Sequence, residues 1–203
     1  MNGLQRSALR LPDGSECTVL KTNDGSGRPL LYIHGISGLE ADRSLLSELS
    51  SAFAVLAPVL DGFRAIGDVP LIQRKVIELL SASDLRSPML AGHAAGAAVA
   101  AELAATMPGT FSHLFLLSPI GLDAEQRPVS GEGVGNRLGH IDCRTTLVWG
   151  KQDAEVSMES ILELARVIPS AGVATVPRGT GDMVTTLPAK VARAMLNGLR
   201  VLA

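Results

Sequence analysis

Short apolar runs that end at or beside Gly, Pro or Ser recur through most of the chain. Their continuous hydrophobicity is typical of strands buried on both faces; the runs are PLLYIHG, FAVLAPV, SPMLAGH, LFLLSP, TLVWG and VATVP. Between several of them, apolar residues recur at the spacing of one helix face; these residues are Ile72, Val76, Leu79 and Leu80, then Ile161, Leu162, Ala165 and Ile168, and finally Val191, Met195, Leu196 and Leu199 after Pro188. The alternation predicts an α/β fold with a mostly parallel central sheet and helices on both faces.

The first residues follow a different pattern. The segment SALRLPDGSECTVLKT has the turn sequence Pro12-Asp13-Gly14 between two extended stretches, which predicts an antiparallel hairpin leading into the sheet. No repeat, low-complexity tract or linker divides the chain, so residues 1–203 are expected to form one domain. The longest stretch without periodicity, 120–142, is interpreted as a short irregular connection, either a mobile loop over a binding site or a plain link.

Composition and charge narrow the range of functions. The formal net charge is −2, aromatic residues make up 3 %, and basic residues are scattered, so a nucleic-acid surface is not expected. The apolar runs are shorter than the roughly 18 residues of a membrane span, and the N-terminal residues lack a signal-peptide pattern. Cys17 and Cys143 have no metal-binding spacing. These observations favour a cytoplasmic protein that binds no membrane and no metal and needs no cofactor.

The candidate binding and catalytic residues cluster just after the predicted strands, where open parallel sheets bind ligands. In chain order, the motifs are LLYIHGISG, APVLDGF, LAGHAAG, LVWGKQD and VPRGTGDM. Their order and spacing resemble the α/β-hydrolase superfamily, as oxyanion loop, following strand and turn, nucleophile elbow, acid strand and histidine loop. The resemblance implies the α/β-hydrolase fold. Family members usually have a lid after the strand ending in LLSP, but only residues 120–142 are available for one, so a small, lidless member is expected.

The resemblance fails at two of the three catalytic positions. Ala94 stands where family members place the serine nucleophile, and Asp182 stands where they place the histidine, whereas Asp153 fills the acid position. A methyl group cannot attack a carbonyl, and a carboxylate cannot replace an imidazole that titrates near neutrality. The chain is therefore not expected to be a competent Ser-His-Asp hydrolase.

The main-chain donors of the family's oxyanion hole do not depend on side chains. By the resemblance they are the backbone N–H groups of Ile36 and Ala95. Ala95 would also begin a helix, whose N-terminus favours a carbonyl oxygen or an anion, so the expected partner is a small carbonyl- or carboxylate-bearing molecule. Residues at strand ends that are candidate ligand contacts are His34, Ser37 and Ser118. His93, in contrast, is expected to be a buried structural residue.

Three functions remain compatible with these residues. The first is a small-molecule-binding pseudoenzyme. The second is a non-hydrolytic enzyme, such as a lyase, cyclase or isomerase, in which Asp153 and Asp182 share a proton and act as acid and base. The third, an esterase-type hydrolase inactivated at position 94, explains Ala94 but not Asp182. The sequence leaves the ligand and the oligomeric state open and does not decide between the first two functions.

Overall fold

Eight strands form one sheet in the computed structural model, which describes residues 3–22, 27–122 and 134–201. Their order across the sheet is β1-β2-β4-β3-β5-β6-β7-β8. The strands are β1 Leu4–Arg10, β2 Glu16–Thr22, β3 Arg28–Ile33, β4 Phe53–Pro58, β5 Met89–His93, β6 His113–Leu117, β7 Thr145–Gly150 and β8 Ala171–Val176. The pairs β1/β2 and β2/β4 are antiparallel, and the other pairs are parallel. The predicted fold class is therefore confirmed.

The N-terminal hairpin turns where its sequence predicts. Arg10 pairs with Glu16 across the turn, and the Asp13 carboxylate accepts hydrogen bonds from the backbone N–H of Ser15 at 2.9 Å and from its hydroxyl at 2.6 Å. This local bonding is what favours Asp in a tight turn. The hairpin places β2 beside β4, so it extends the parallel sheet at one edge.

Helices cover both faces of the sheet. They are α1 Arg43–Leu49, α2 Val69–Ala82, α3 Ala95–Thr106, α4 Met158–Val167, α5 Met183–Thr186 and α6 Pro188–Val201. Helices α2, α3 and α4 share one hydrophobic core, and α1, α5 and α6 share the other. Ile72, Ile161 and Val191 are fully buried as their spacing predicts. Leu162 is instead 44 % exposed, on the helix that packs against β7 and β8 at one edge of the sheet.

Part of the predicted irregular connection over 120–142 has regular structure. Residues 123–133 lie outside the described residues, and Val134–His140 form a 3-10 helix that packs against α3. Its Leu138 is fully buried in the same core as α3. Among the described residues, no helix has the length and apolar composition required to cross a membrane.

Candidate functional site

The loops that follow β3, β5, β7 and β8 surround one pocket of about 480 Å³. The carboxyl ends of parallel strands are where such sheets bind ligands, and the volume lies within the roughly 300–1,000 Å³ of small-molecule sites. Several residues singled out in the sequence line this pocket; they are Ile36, Ser37, Ala94, Asp153 and Asp182. The fold therefore brings residues from four separate motifs to one place.

The turn between β5 and α3 has a strained backbone. Ala94 has φ 51° and ψ −119°, a conformation that residues with a Cβ rarely adopt. Two glycines permit it: a Cβ on Gly96 would lie 2.4 Å from the carbonyl oxygen of Ile33, and one on Gly92 would lie 2.3 Å from that of Gly96. The Ala94 N–H donates to the carbonyl of Leu117 at 2.9 Å. The strand–turn–helix geometry of a nucleophile elbow is thus present, with a methyl group at its apex.

Two backbone N–H groups beside the elbow have no acceptor within the described part of the chain. Ala95 is the first residue of α3, so its N–H lacks an intrahelical partner. Ile36 lies in the loop after β3, and neither N–H donates to another described residue. The two segments touch, since a Cβ on Gly35 would lie 3.3 Å from the Cβ of Ala94. Such a pair of donors can hold one carbonyl oxygen, and the assignment of an oxyanion hole stays a prediction.

Asp153 follows β7 and is fixed by its own loop. Its Oδ1 accepts hydrogen bonds from the backbone N–H groups of Glu155 and Val156, both at 3.0 Å. The second oxygen, Oδ2, is buried and has no hydrogen-bond partner in the described ranges. A Cβ on Gly181 would lie 3.5 Å from Oδ1, so the carboxyl group rests against the loop that follows β8. Oδ2 of Asp153 is therefore available to accept a hydrogen bond from a donor in the loop that follows β8.

Asp182 follows Gly181 in the same loop, lines the pocket and is exposed. Its Oδ1 accepts a hydrogen bond from the Thr180 hydroxyl. The two oxygens of Asp153 make no hydrogen bond to Asp182. The structure thus brings both carboxyl groups to one pocket, while a proton shared between them remains a prediction.

Of the three predicted side-chain contacts, the structure brings Ser37 to the pocket lining but neither His34 nor Ser118. His34 is 3 % exposed, its Nδ1 lies 2.6 Å from the carbonyl of Gly35, and its Nε2 accepts the N–H of Leu60 at 3.0 Å. Burial lowers the pKa of His34, so the ring is neutral at pH 7 with both nitrogens engaged. Ser118 is fully buried, and its hydroxyl has no partner among the described residues.

A buried hydrogen-bond network that no sequence motif predicts lies beneath the pocket. The Nδ1 of His93 lies 3.0 Å from Oδ1 of Asp42, and the Tyr32 hydroxyl donates to Oδ2 of Asp42 at 2.9 Å. His93 is buried as predicted, yet it also lines the pocket together with Asp42. No local motif marks Asp42, because residues 42 and 93 meet only once β3 and β5 have paired.

The pocket wall carries negative charge. Asp153, Glu155 and Asp182 all belong to the lining, and among the described residues no Lys or Arg does. Carboxylates so placed disfavour an anion and leave a neutral or positively charged ligand as the better match. Within the same ranges, no group of three His, Cys, Asp or Glu side chains is arranged to hold a metal ion.

Solved structures share this architecture over nearly the whole chain. A bacterial membrane phospholipase A is 19 % identical with a TM-score of 0.82, over 98 % of this chain and 87 % of that chain. A CIB-like hydrolase from Thermoplasma acidophilum is 18 % identical with a TM-score of 0.82, over 99 % and 100 %. A 2-hydroxy-6-oxo-6-phenylhexa-2,4-dienoate hydrolase from Rhodococcus is 14 % identical with a TM-score of 0.78, over 98 % and 100 %.

No protein-family model and no curated protein matches the sequence. The chain nevertheless has the α/β-hydrolase fold, because the similar structures are proteins of that fold and cover it almost completely. At these identities the likeness establishes the fold and not the reaction.

Proposed function

We propose that this protein binds a small carbonyl-bearing molecule at the elbow and does not hydrolyse it. The observation that carries the proposal is the elbow itself, which keeps a strained turn although Ala94 stands at its apex. A positive φ at a residue with a Cβ costs on the order of 1 kcal/mol. Ala94 lines the pocket, and the N–H of the next residue, Ala95, has no acceptor in the described part of the chain. These features support binding, and a methyl group supports no nucleophilic step.

The charge of the lining narrows the ligand class. Of the two classes expected from the sequence, a carboxylate would enter beside Asp153, Glu155 and Asp182. A neutral carbonyl avoids that repulsion and still accepts hydrogen bonds from the N–H groups of Ile36 and Ala95. The protein is then a pseudoenzyme of the α/β-hydrolase fold with a neutral carbonyl ligand.

The first prediction concerns the missing nucleophile. Purified protein should give no turnover of p-nitrophenyl acyl esters and no labelling by a fluorophosphonate probe, because both reactions need an activated hydroxyl at the elbow. Mass spectrometry of the probe-treated protein checks this. Labelling at Ser37, which lines the pocket, would contradict the proposal, because the nucleophile would then have moved rather than disappeared.

The second prediction tests the pocket directly. Ala94→Leu should weaken binding of neutral carbonyl probes, such as cyclohexanone, phenylacetone and N-benzylacetamide, by at least about tenfold, since its side chain occupies the apex of the elbow. Ala94→Ser is the matched control, because it keeps a small side chain on the same backbone, and it should bind like the wild type. NMR titration measures both affinities. Unchanged binding by Ala94→Leu would place the ligand elsewhere, and no binding by the wild type would remove the proposal.

The non-hydrolytic enzyme is the second candidate, and one observation favours it. Asp153 and Asp182 line the pocket that contains Ala94, so an acid and a base would stand beside the ligand. If they share a proton, replacing Asp182 by Asn should alter the NMR titration of Asp153. Two independent titrations in the wild type would remove this candidate.

A further inference from the structure

The two edge strands of the sheet, β1 and β8, differ in what they present to solvent. β1 carries Arg6 and Arg10, and charged side chains of this kind keep an edge strand from pairing with another chain. β8 has the sequence AGVATV, with no charged residue and no proline, and its Val173 and Thr175 are exposed. The β8 edge therefore lacks the features that prevent a further strand from pairing with it.

The hydrogen bonds of β8 determine which backbone groups face the free edge. The carbonyl oxygens of Ser170 and Val176 accept hydrogen bonds from the β7 side of the sheet, both at 3.2 Å. Because the backbone groups of successive strand residues point in opposite directions, the even-numbered residues bond to β7 and the odd-numbered ones point outward. The residues with outward N–H and C=O groups are Ala171, Val173 and Thr175. None of these groups has a partner in the described part of the chain.

Helix α4 adds an apolar surface beside that edge. Ile161 and Leu164 are buried, whereas Met158 and Leu162 are 47 % and 44 % exposed. At 3.6 residues per turn, the exposed pair lies roughly a quarter to a third of a turn clockwise from the buried pair, seen from the helix N-terminus. Crossovers such as β7–α4–β8, which join neighbouring parallel strands, are right-handed. In that geometry the side of α4 with Met158 and Leu162 faces past β8 and not toward β7.

Val173 extends the same surface onto the strand. Side chains two positions apart in a strand share a face, and Ala171 packs against the hydrophobic core on the side of the sheet covered by α4. Val173, which is 37 % exposed, therefore lies on that side as well. Met158, Leu162 and Val173 form one apolar surface, here named the edge patch. Exposed apolar side chains that are grouped in this way mark an interaction site more often than single ones do.

We propose that β8 pairs antiparallel with β8 of a second copy of this chain, so that the two sheets become one. A two-fold axis beside Val173 pairs this residue with Val173 of the second copy, and pairs Ala171 with Thr175. Each of these pairs exchanges two backbone hydrogen bonds, because the N–H and C=O groups of all three residues point outward. The outward groups thus determine the register, and the pairing needs no bulge.

The same axis brings the two α4 helices into contact. Because α4 packs over β7 and β8, it would lie about two strand spacings from its copy, or about 10 Å, which is the separation of packed helices. Met158 and Leu162 fill that space. Glu159 and Arg166 are exposed beside the edge patch, two turns apart, so antiparallel helices place Glu159 of each copy near Arg166 of the other. This charge complementarity of the surface with itself favours a second copy over a different protein.

Sedimentation of the full chain tests the proposal. The wild type should be a dimer at about 100 μM, and Val173→Lys should raise the dimer dissociation constant at least about 30-fold, because two ammonium groups would meet at the axis. Leu71 offers the matched control, since it is 49 % exposed on α2, which contacts β1 near the other edge. Leu71→Lys should leave the dissociation constant within about twofold.

Charge reversal tests the arrangement of the helices. Glu159→Arg should weaken the dimer about fivefold, because like charges then meet at both ends of the α4 pair. Adding Arg166→Glu restores opposite charges and should return the dissociation constant to about that of the wild type. A double variant weaker than either single one would contradict the antiparallel contact.

Hydrogen exchange of the wild type supplies a readout that needs no substitution. The Val173 amide should exchange slowly in the dimer and faster on dilution, because the free edge leaves it open to water. A monomer at about 100 μM, a dimer whose Val173 amide exchanges fast, or a dimer that Val173→Lys leaves intact would each overturn the proposal. A monomer with a slowly exchanging Val173 amide would also overturn it, since another part of the chain would then cover the edge.

Discussion

Ala94→Ser combined with Asp182→His should turn this protein into a measurable esterase, whereas neither substitution alone should. The hydroxyl at position 94 needs a base, and an imidazole at position 182 needs an acid to orient it. Asp153 is already placed for that task, because its buried Oδ2 has no hydrogen-bond partner in the described ranges and its carboxyl group rests against Gly181. The double variant should exceed either single one by at least about 100-fold in kcat/KM toward p-nitrophenyl acetate.

The controls identify which group is the base. Adding Asp153→Asn to the double variant should remove most of the gained activity, because the imidazole then loses its acceptor. Labelling by a fluorophosphonate should appear at position 94 in the double variant only. If Ala94→Ser alone were as active as the double variant, the match between Asp182 and the family's histidine would be wrong.

Gly96→Ala should destabilise the fold by about 3 kcal/mol, at the upper end of the usual cost of overpacking. The new Cβ would lie 2.4 Å from the carbonyl oxygen of Ile33 and 2.5 Å from that of His34. Both are backbone atoms at the end of a central strand, so relief requires α3 to move away from the sheet. For a domain of this size, the corresponding fall in Tm is roughly 6–12 °C, and urea denaturation with thermal unfolding measures it.

Gly67 provides the matched control, because a Cβ there would meet no atom within 4 Å and its φ is not positive. Gly67→Ala should change stability by less than about 0.5 kcal/mol. Equal stability losses in Gly96→Ala and Gly67→Ala would mean that α3 does not approach β3 as closely as the elbow requires.

The sheet could be predicted from the sequence because its strands are marked locally. The continuous apolar run LFLLSP forms β6, which is buried on both faces as central parallel strands are. The turn at Asp13 is also predicted by the residues of the turn alone. The 3-10 helix Val134–His140 carries no comparable periodic signal, and the exposure of Leu162 depends on how much of α4 the sheet covers. Those two features follow from tertiary packing.

The candidate site likewise contains residues whose position the sequence predicts and contacts that it does not. Ala94, Asp153 and Asp182 stand in motifs that end strands, so their arrival at one pocket follows from strand order. The contact between His93 and Asp42 joins residues 51 positions apart, and nothing near either residue predicts it. From the sequence, His93 is predicted only to be a buried structural residue, because a histidine's partners cannot be deduced from one chain position.

The measurement that most directly tests carbonyl binding at the elbow follows the amide groups of Ile36 and Ala95 during an NMR titration with phenylacetone. We expect the two amide proton signals to move downfield together and saturably in the wild type and in Ala94→Ser, and to stay in place in Ala94→Leu, because one carbonyl oxygen accepts both hydrogen bonds. Saturable shifts that leave Ile36 and Ala95 unmoved, or equal shifts in Ala94→Leu, would contradict a carbonyl site at the elbow.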